Sequence, residues 1–430
     1  MKTSSDSKSG KSVSTPKKIA LAVLGVLSLL TLANIIEASI HKFKDSYHGE
    51  EEIAIHIDED IAVHIDEDIY LHDDNHVVVH VDRNNQVSVA SGELMIEESF
   101  KVSPGENLLV SVNDADVNVE TNNGSEALVK VYLDGRDMDK AREYFEDQNF
   151  EVTREGVNVY VKTYPKRKSS SWNRNGGANI QVEVTVPYEF NVSVKTSDGD
   201  ISMDKAEGET MLQSSDGDIA AAELVGSSVN IRTSDGDVST EAIEASRVSI
   251  ATSDGDIAIE DITSDDATIR TSDGDIKADA LSGSMSVSTS DGDIVIKTLT
   301  GSRVSVRTSD GEIIANQVDA NSSDFQTSDG SILLKDVSGD LKAITSSGDL
   351  NVHLTEAGEV YLRTGDGDIH IKAPQDYSAE LSLKGERVRL SSGFQFDGKL
   401  KENAAEGRIN GGGQSLEART SDGEVVFREN

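Results

Sequence analysis

The chain has 430 residues, no cysteine, 36% hydrophobic and 4% aromatic residues, and 40 basic against 78 acidic side chains, a net charge of −38. This composition excludes disulfides, thiolate metal sites and thioether lipid anchors, and it excludes nucleic-acid binding through bulk electrostatics, which needs the opposite sign. It also excludes an ordinary core of packed Phe, Trp and Leu, leaving either disorder or a core of thin repeated layers.

Residues 1–18 form a basic tail carrying Lys2, Lys8, Lys11, Lys17 and Lys18. Residues 19–36 then run for 18 positions without charge and end before Glu37. That length suits a short transmembrane signal-anchor, and the preceding lysines predict a cytoplasmic N-terminus. A cleaved signal peptide, with Thr31 and Ala33 near the cut, is the second reading. Both place residues 41–430 outside the cytoplasm, either as a single-pass membrane protein held through 19–36 or as a secreted one. Residues 37–50 read as a linker.

Residues 51–82 are four octads, EEIAIHID, EDIAVHID, EDIYLHDD and NHVVVHVD. His56, His64, His72 and His80 recur every eight residues, as do Asp58, Asp66, Asp74 and Asp82, with His76 beside them. The period of two predicts short strands over 51–89, with one apolar face and one His/Asp face. Imidazoles with nearby carboxylates form a candidate site for Zn2+, copper or nickel. A solvated polar face left by duplication of a short strand is the plain alternative.

Residues 90–195 are mixed. FKVSPGENLLVSVNDADVNVE predicts strand and turn, DMDKAREYFEDQ predicts a helix over 138–148, and FEVTREGVNVYVKT predicts further strands. Residues 165–177 form a Ser/Asn/Gly-rich loop with Lys166, Arg167, Lys168 and Arg174 around Trp172. Such a loop is either plain exposed chain or a contact for anionic lipid or polysaccharide.

From residue 196 a six-residue motif, T-S-D-G-D-I, begins at Thr196, Ser214, Thr233, Thr252, Thr271, Thr289, Thr308, Thr327, Thr345 and Thr364, at intervals of 18 or 19 residues. A fixed period of this length predicts an all-β β-solenoid (β-helix) of about ten rungs over 196–371. Apolar residues recur four and two positions before the threonine and five, seven and ten after it, which turns the threonine inward. Each rung is expected to be two short strands joined by S-D-G-D and closed by a Gly/Ser turn. The glycine is expected to supply φ > 0 and the preceding aspartate to bond back to the turn amides. Stacked about 4.8 Å apart, ten rungs make a rod of about 50 Å. After Ile371 the register is lost, and residues 372–430 read as irregular rungs and a cap with one more copy at Thr420–Val425. The residue before the motif alternates, with Lys195, Arg232, Arg270 and Arg307 separated by Gln213, Ala251, Ser288 and Gln326, until Ile344 precedes Arg363.

The acidic turns form the strongest chemical pattern. Third positions include Asp198, Asp216, Asp235, Asp254 and Asp273, and fifth positions include Asp200, Asp218, Asp237, Asp256 and Asp275. Carboxylates one rung apart repel by about 1 kcal/mol in water before screening. Ca2+ would relieve that repulsion through hard oxygen ligands, and plain solvation of the turns would tolerate it. An enzymatic reading has little to rest on, because a catalytic carboxyl pair needs a unique environment and these recur in every rung. No G-x-S-x-G, H-E-x-x-H or P-loop motif is present.

VPYEFNVSVKTSDGDI, the repeated TSDGDI and GRINGGGQSLEARTSDGEV resemble the bacterial putative-adhesin family of exported β-solenoid domains of unknown function, over about residues 98–430. The resemblance implies an envelope location with adhesion or stress-response association, and it carries no catalytic residues. The octads depart from the family pattern. The expectation is therefore a non-enzymatic envelope β-solenoid presenting an acidic face, with an envelope protein or glycan as partner and no nucleic acid. The alternatives are a cation-binding module and, further off, a polysaccharide-active enzyme.

Overall fold

The computed structural model of the protein describes residues 55–56, 62–66, 68–71, 77–81, 87–166 and 177–430. The apolar segment 19–36, Asp58, His72, Asp74, His76 and most of the loop around Trp172 lie outside the described residues. No helix among the described residues is long and apolar enough to cross a membrane. In the octads, Ile55–His56, Ala62–Asp66 and Asp68–Leu71 pair antiparallel. Their register sets His56 opposite Ala62 and His64 opposite Tyr70.

Within residues 88–430 the dominant element is a parallel β-solenoid. Ten copies of the motif bound about nine turns. The first turn is two short strands, Ile201–Glu207 and Thr210–Gln213, as the pattern predicts, whereas from Ile219 to Arg363 each turn is one bent strand of 13 or 14 residues, such as Ile257–Arg270 or Ile294–Arg307. Along Ile257–Arg270 the buried residues are Ile257, Ile259, Ile262, Ser264, Ala267 and Ile269, and Thr271 and Gly274 continue the series. Strict alternation is broken by three exposed pairs, Glu260–Asp261, Asp265–Asp266 and Ser272–Asp273. Two consecutive outward residues turn the chain, so each coil has three short inward-facing sides. Neighbouring coils pair parallel and in register, Ile257 on Ile276 and Ile269 on Val287. Small aliphatics therefore stack on their own kind, and the narrow interior needs few aromatics. Phe325 is one exception, fully buried in a column of Val and Ile, and the next coil answers with Ala343 opposite it.

The turn chemistry corrects two expectations. The motif glycines do not have positive φ. A Cβ built on Gly255 would lie 2.0 Å from the carbonyl oxygen of Gly236 in the preceding coil, and the same clash recurs at Gly217, Gly236, Gly274, Gly292 and Gly311. Glycine is required because two backbones approach too closely for any side chain. Nor does the third-position aspartate close the turn. The buried threonine does so: Thr252 Oγ1 donates to the carbonyls of Ser234 and Gly236, each at 3.0 Å, and accepts from the N–H of Gly255 at 3.3 Å.

Both ends of the solenoid are built out of sequence order. At one end Asn107–Ser111 lies between Asn158–Thr163 and Asn191–Lys195, pairing parallel with each. At the other, Gln414–Arg419 and Glu424–Glu429 stack directly on the coil of Leu350–Arg363 and Ile369–Ala373. Ala379–Lys384 and Arg387–Leu390 then stack on the far side of that inserted coil. The register that the sequence suggests is lost after Ile371 is thus interrupted and resumed. Antiparallel strands cover the end coils, Glu126–Asp134 on Asn179–Pro187 and Ala404–Ile409 on Ala379–Lys384, which blocks edge-to-edge growth. The helix Met138–Gln148, capped by Asp137 and ended by left-handed Asn149, packs Ala141, Tyr144 and Phe145 inward.

Gly255→Ala is expected to lower the unfolding free energy by about 3 kcal/mol or more, because backbone must move. Gly105→Ala, at φ 79 with nothing within 4 Å of a built Cβ, is expected to cost roughly 1 kcal/mol. Urea unfolding of the two variants separates close approach from backbone strain.

Candidate functional site

The two aspartate columns do different work. The fifth-position carboxylates are used internally: Asp237 Oδ1 accepts the N–H of Asp256 at 2.7 Å, and Asp256 Oδ1 accepts that of Asp275 at 2.7 Å. The same bond links Asp200 to Asp218, Asp218 to Asp237, Asp275 to Asp293 and Asp293 to Glu312. Each carboxylate thus holds an amide of the next coil, which offsets repulsion along the column. The third-position residues Asp198, Asp216, Asp235, Asp254 and Asp273 stand exposed on the adjoining corner. Among the described residues no group of three or more His, Asp or Glu is arranged to hold a metal ion.

Sequence reasoning missed the head of the ladder. Residues 112–117, VNDADV, occupy the place of a motif copy, with Asp116 Oδ1 accepting the N–H of Asp200 at 3.1 Å. The signal was the D-x-D spacing with alanine for glycine. Here the carboxyls crowd. Although Asp198 is exposed, partial desolvation of its carboxyl, followed by the charges of Asp114 and Asp216, raises it above the usual carboxylate value. Burial also raises Asp116, against the bond from Asp200. Asp114, in left-handed backbone, accepts from the Tyr144 hydroxyl at 2.5 Å, and burial and this bond raise the tyrosine. By contrast, the amide of Asp293 and then Lys277 hold Asp275 below its usual range.

A second column lies on the side that carries the threonine. The residue before each motif stacks in register from coil to coil: Lys195 on Gln213, Gln213 on Arg232, Arg232 on Ala251, Ala251 on Arg270, Arg270 on Ser288, and Ser288 on Arg307. Ser111 and then Lys162 extend it beyond Lys195. At the other end Arg363, Arg419 and Lys384 occupy successive coils. The outward residue two positions earlier adds Ser193, Met211, Asn230, Ser249, Thr268, Ser286, Ser305, Asp324, Lys342 and Tyr361. This side is cationic within a solenoid whose 196–371 segment has 35 acidic and 11 basic residues. Near its end a cleft of about 970 Å3 is lined by Tyr361, Arg363, Lys384, Arg387 and Arg419 together with Asp368, Glu386 and Glu402.

Residues 105–282 and 280–427 each match the family described as Toastrack DUF4097, together most of the chain. The chain belongs to this Toastrack family. Its two matched stretches divide the solenoid between them, and neither includes the octads. Solved structures similar to it include a putative cell adhesion protein of Clostridium sporogenes, 10% identical, covering 79% of this chain and 100% of that one with TM-score 0.20. A putative lipid binding protein of Parabacteroides distasonis is 15% identical over 78% of this chain and 96% of its own, TM-score 0.26. A putative adhesin of Bacteroides fragilis is 12% identical over 79% and 99%, TM-score 0.22. No curated protein matches the chain.

Two outcomes follow for the Toastrack turns. Asp256→Ala is expected to cost about 1 kcal/mol in chemical unfolding, and Asp256→Asn, which keeps an acceptor oxygen, about half of that or less. Asp198 has a folded pKa above its unfolded one, so its charge costs stability at neutral pH and the cost disappears as pH falls through the folded value. Asp198→Asn is therefore expected to melt above the parent at pH 7 and together with it once both are uncharged, as calorimetry across pH would record. Asp275 has the opposite sign: its contribution is full above the unfolded carboxylate pKa and is lost as pH falls through the folded one.

Proposed function

We propose that the protein is a non-enzymatic, adhesin-type β-solenoid of the cell envelope that works by presenting a repeated surface. The observation that carries this reading is the equivalence of its coils. The same chemical groups return every 18 or 19 residues, and one of the two acidic columns is bonded to backbone amides. Catalysis asks for one environment unlike the others, whereas adhesion gains from many alike, because weak contacts along one rigid body add as avidity. The exposed third-position aspartates and the segregated cations supply the contacts, and export through the 19–36 segment supplies the location.

Beads coated with the purified full chain are expected to bind isolated cell envelopes several-fold above uncoated beads, with binding rising steeply with coating density. Binding at the level of uncoated beads overturns the adhesive reading. Release of reducing ends from envelope glycans, abolished by replacing a single carboxylate, would establish an enzyme instead.

A further inference from the structure

We infer that the side of the solenoid bearing the threonine column is a docking track for a linear acidic polysaccharide, laid along the stack of coils. The first observation is spacing. Lys162, Lys195, Arg232, Arg270 and Arg307 occupy every second coil of one continuous in-register column, so their Cα atoms recur at about 10 Å. Adjacent like charges across a sheet repel, and alternation with neutral residues keeps the row charged without that cost.

The second observation is that three of these cations have no ion-pair partner, while Arg307 is held by Asp324 at 3.1 Å. Among the described residues Lys195, Arg232 and Arg270 form no ion pair. Lysines on the other sides are held: Lys205 by Glu207 and Glu223, Lys277 by Asp275 and Lys297 by Asp279. In a chain this acidic, three unpaired cations aligned in one in-register column are complementary to an anion from outside.

The third observation chooses the kind of polyanion. Between the cations the side presents Asn230, Ser249, Thr268, Ser286 and Ser305, a flat row of hydroxyl and amide groups suited to sugar hydroxyls. Single-stranded nucleic acid would call for aromatic platforms, which this central stretch lacks. Toward the far end the cations close up to adjacent coils at Arg363, Arg419 and Lys384, beside Tyr361 and the cleft. There Arg419 is held by Glu417 at 2.8 Å, which leaves Arg363 and Lys384 for the ligand.

The inference names the partner class for the adhesive reading, yet its test uses no cells and stands apart from it. The full chain, Arg232→Gln/Arg270→Gln/Arg307→Gln, and Lys277→Gln/Lys297→Gln/Lys335→Gln as control, are titrated with dextran sulfate and with duplex DNA over a range of salt. The parent and the control are expected to bind dextran sulfate alike. The arginine variant is expected to bind at least tenfold more weakly, with the salt slope reduced by about one per cation removed. Melting temperatures check that all three are folded. Absence of dextran sulfate binding by the parent, equal loss in the two variants, undiminished binding by the arginine variant, or tighter binding of DNA than of dextran sulfate would each overturn it.

Discussion

The solenoid depends on one close approach, the carbonyl oxygen of each turn glycine against the α-carbon of the glycine in the next coil. Gly236 and Gly255 meet so tightly that no Cβ fits between them. That contact sets the distance between coils at the corner, brings the buried threonine hydroxyl within reach of two carbonyls, and locks every other position into register. A corner that tolerated a side chain would splay the coils, and the aliphatic columns behind it would lose contact.

In-register stacking has an electrostatic consequence. Whatever charge a position carries is multiplied into a row of like charges about one strand spacing apart. The molecule answers in three ways. The fifth-position aspartates give an oxygen to the neighbouring amide, the third-position aspartates stay at a corner in high-dielectric water, and the cations skip alternate coils. Where the first arrangement begins, beside Asp114, the carboxyls are crowded and the ionised forms of Asp116 and Asp198 are disfavoured.

Much of this was legible in the sequence, because a repeat prints its core as columns. The period, the inward threonine and the aliphatic positions follow from alignment of the copies alone. The three-sided coil was less so: pairs such as Glu260–Asp261 resemble ordinary loop chemistry until burial shows them as corners. The reason for the glycine was misassigned, since positive φ and steric exclusion leave the same letter. VNDADV was hidden by an alanine where the motif has glycine, although Ala115 stands at the edge of the glycine column, where its carbonyl meets Gly199. The cation column continues beyond Arg363 through Arg419 and then Lys384, which lie next to it in space while running backwards in sequence, so the sequence does not display that continuation.

The out-of-order end coils affect how the chain acquires its structure. A simple solenoid can lengthen coil upon coil, each new turn adding to a finished surface. Here the coil of Gln414–Arg419 and Glu424–Glu429 has to enter between Leu350–Ala373 and Ala379–Leu390, both made of chain that precedes it. Until that later segment arrives, the strands on either side of its place have exposed edges and no mutual contact, so closure at this end is a long-range event with a high loop-closure cost. A chain still being synthesised therefore holds a growing stack with an unfinished end, and completion of the fold is timed by the appearance of residues 414–429.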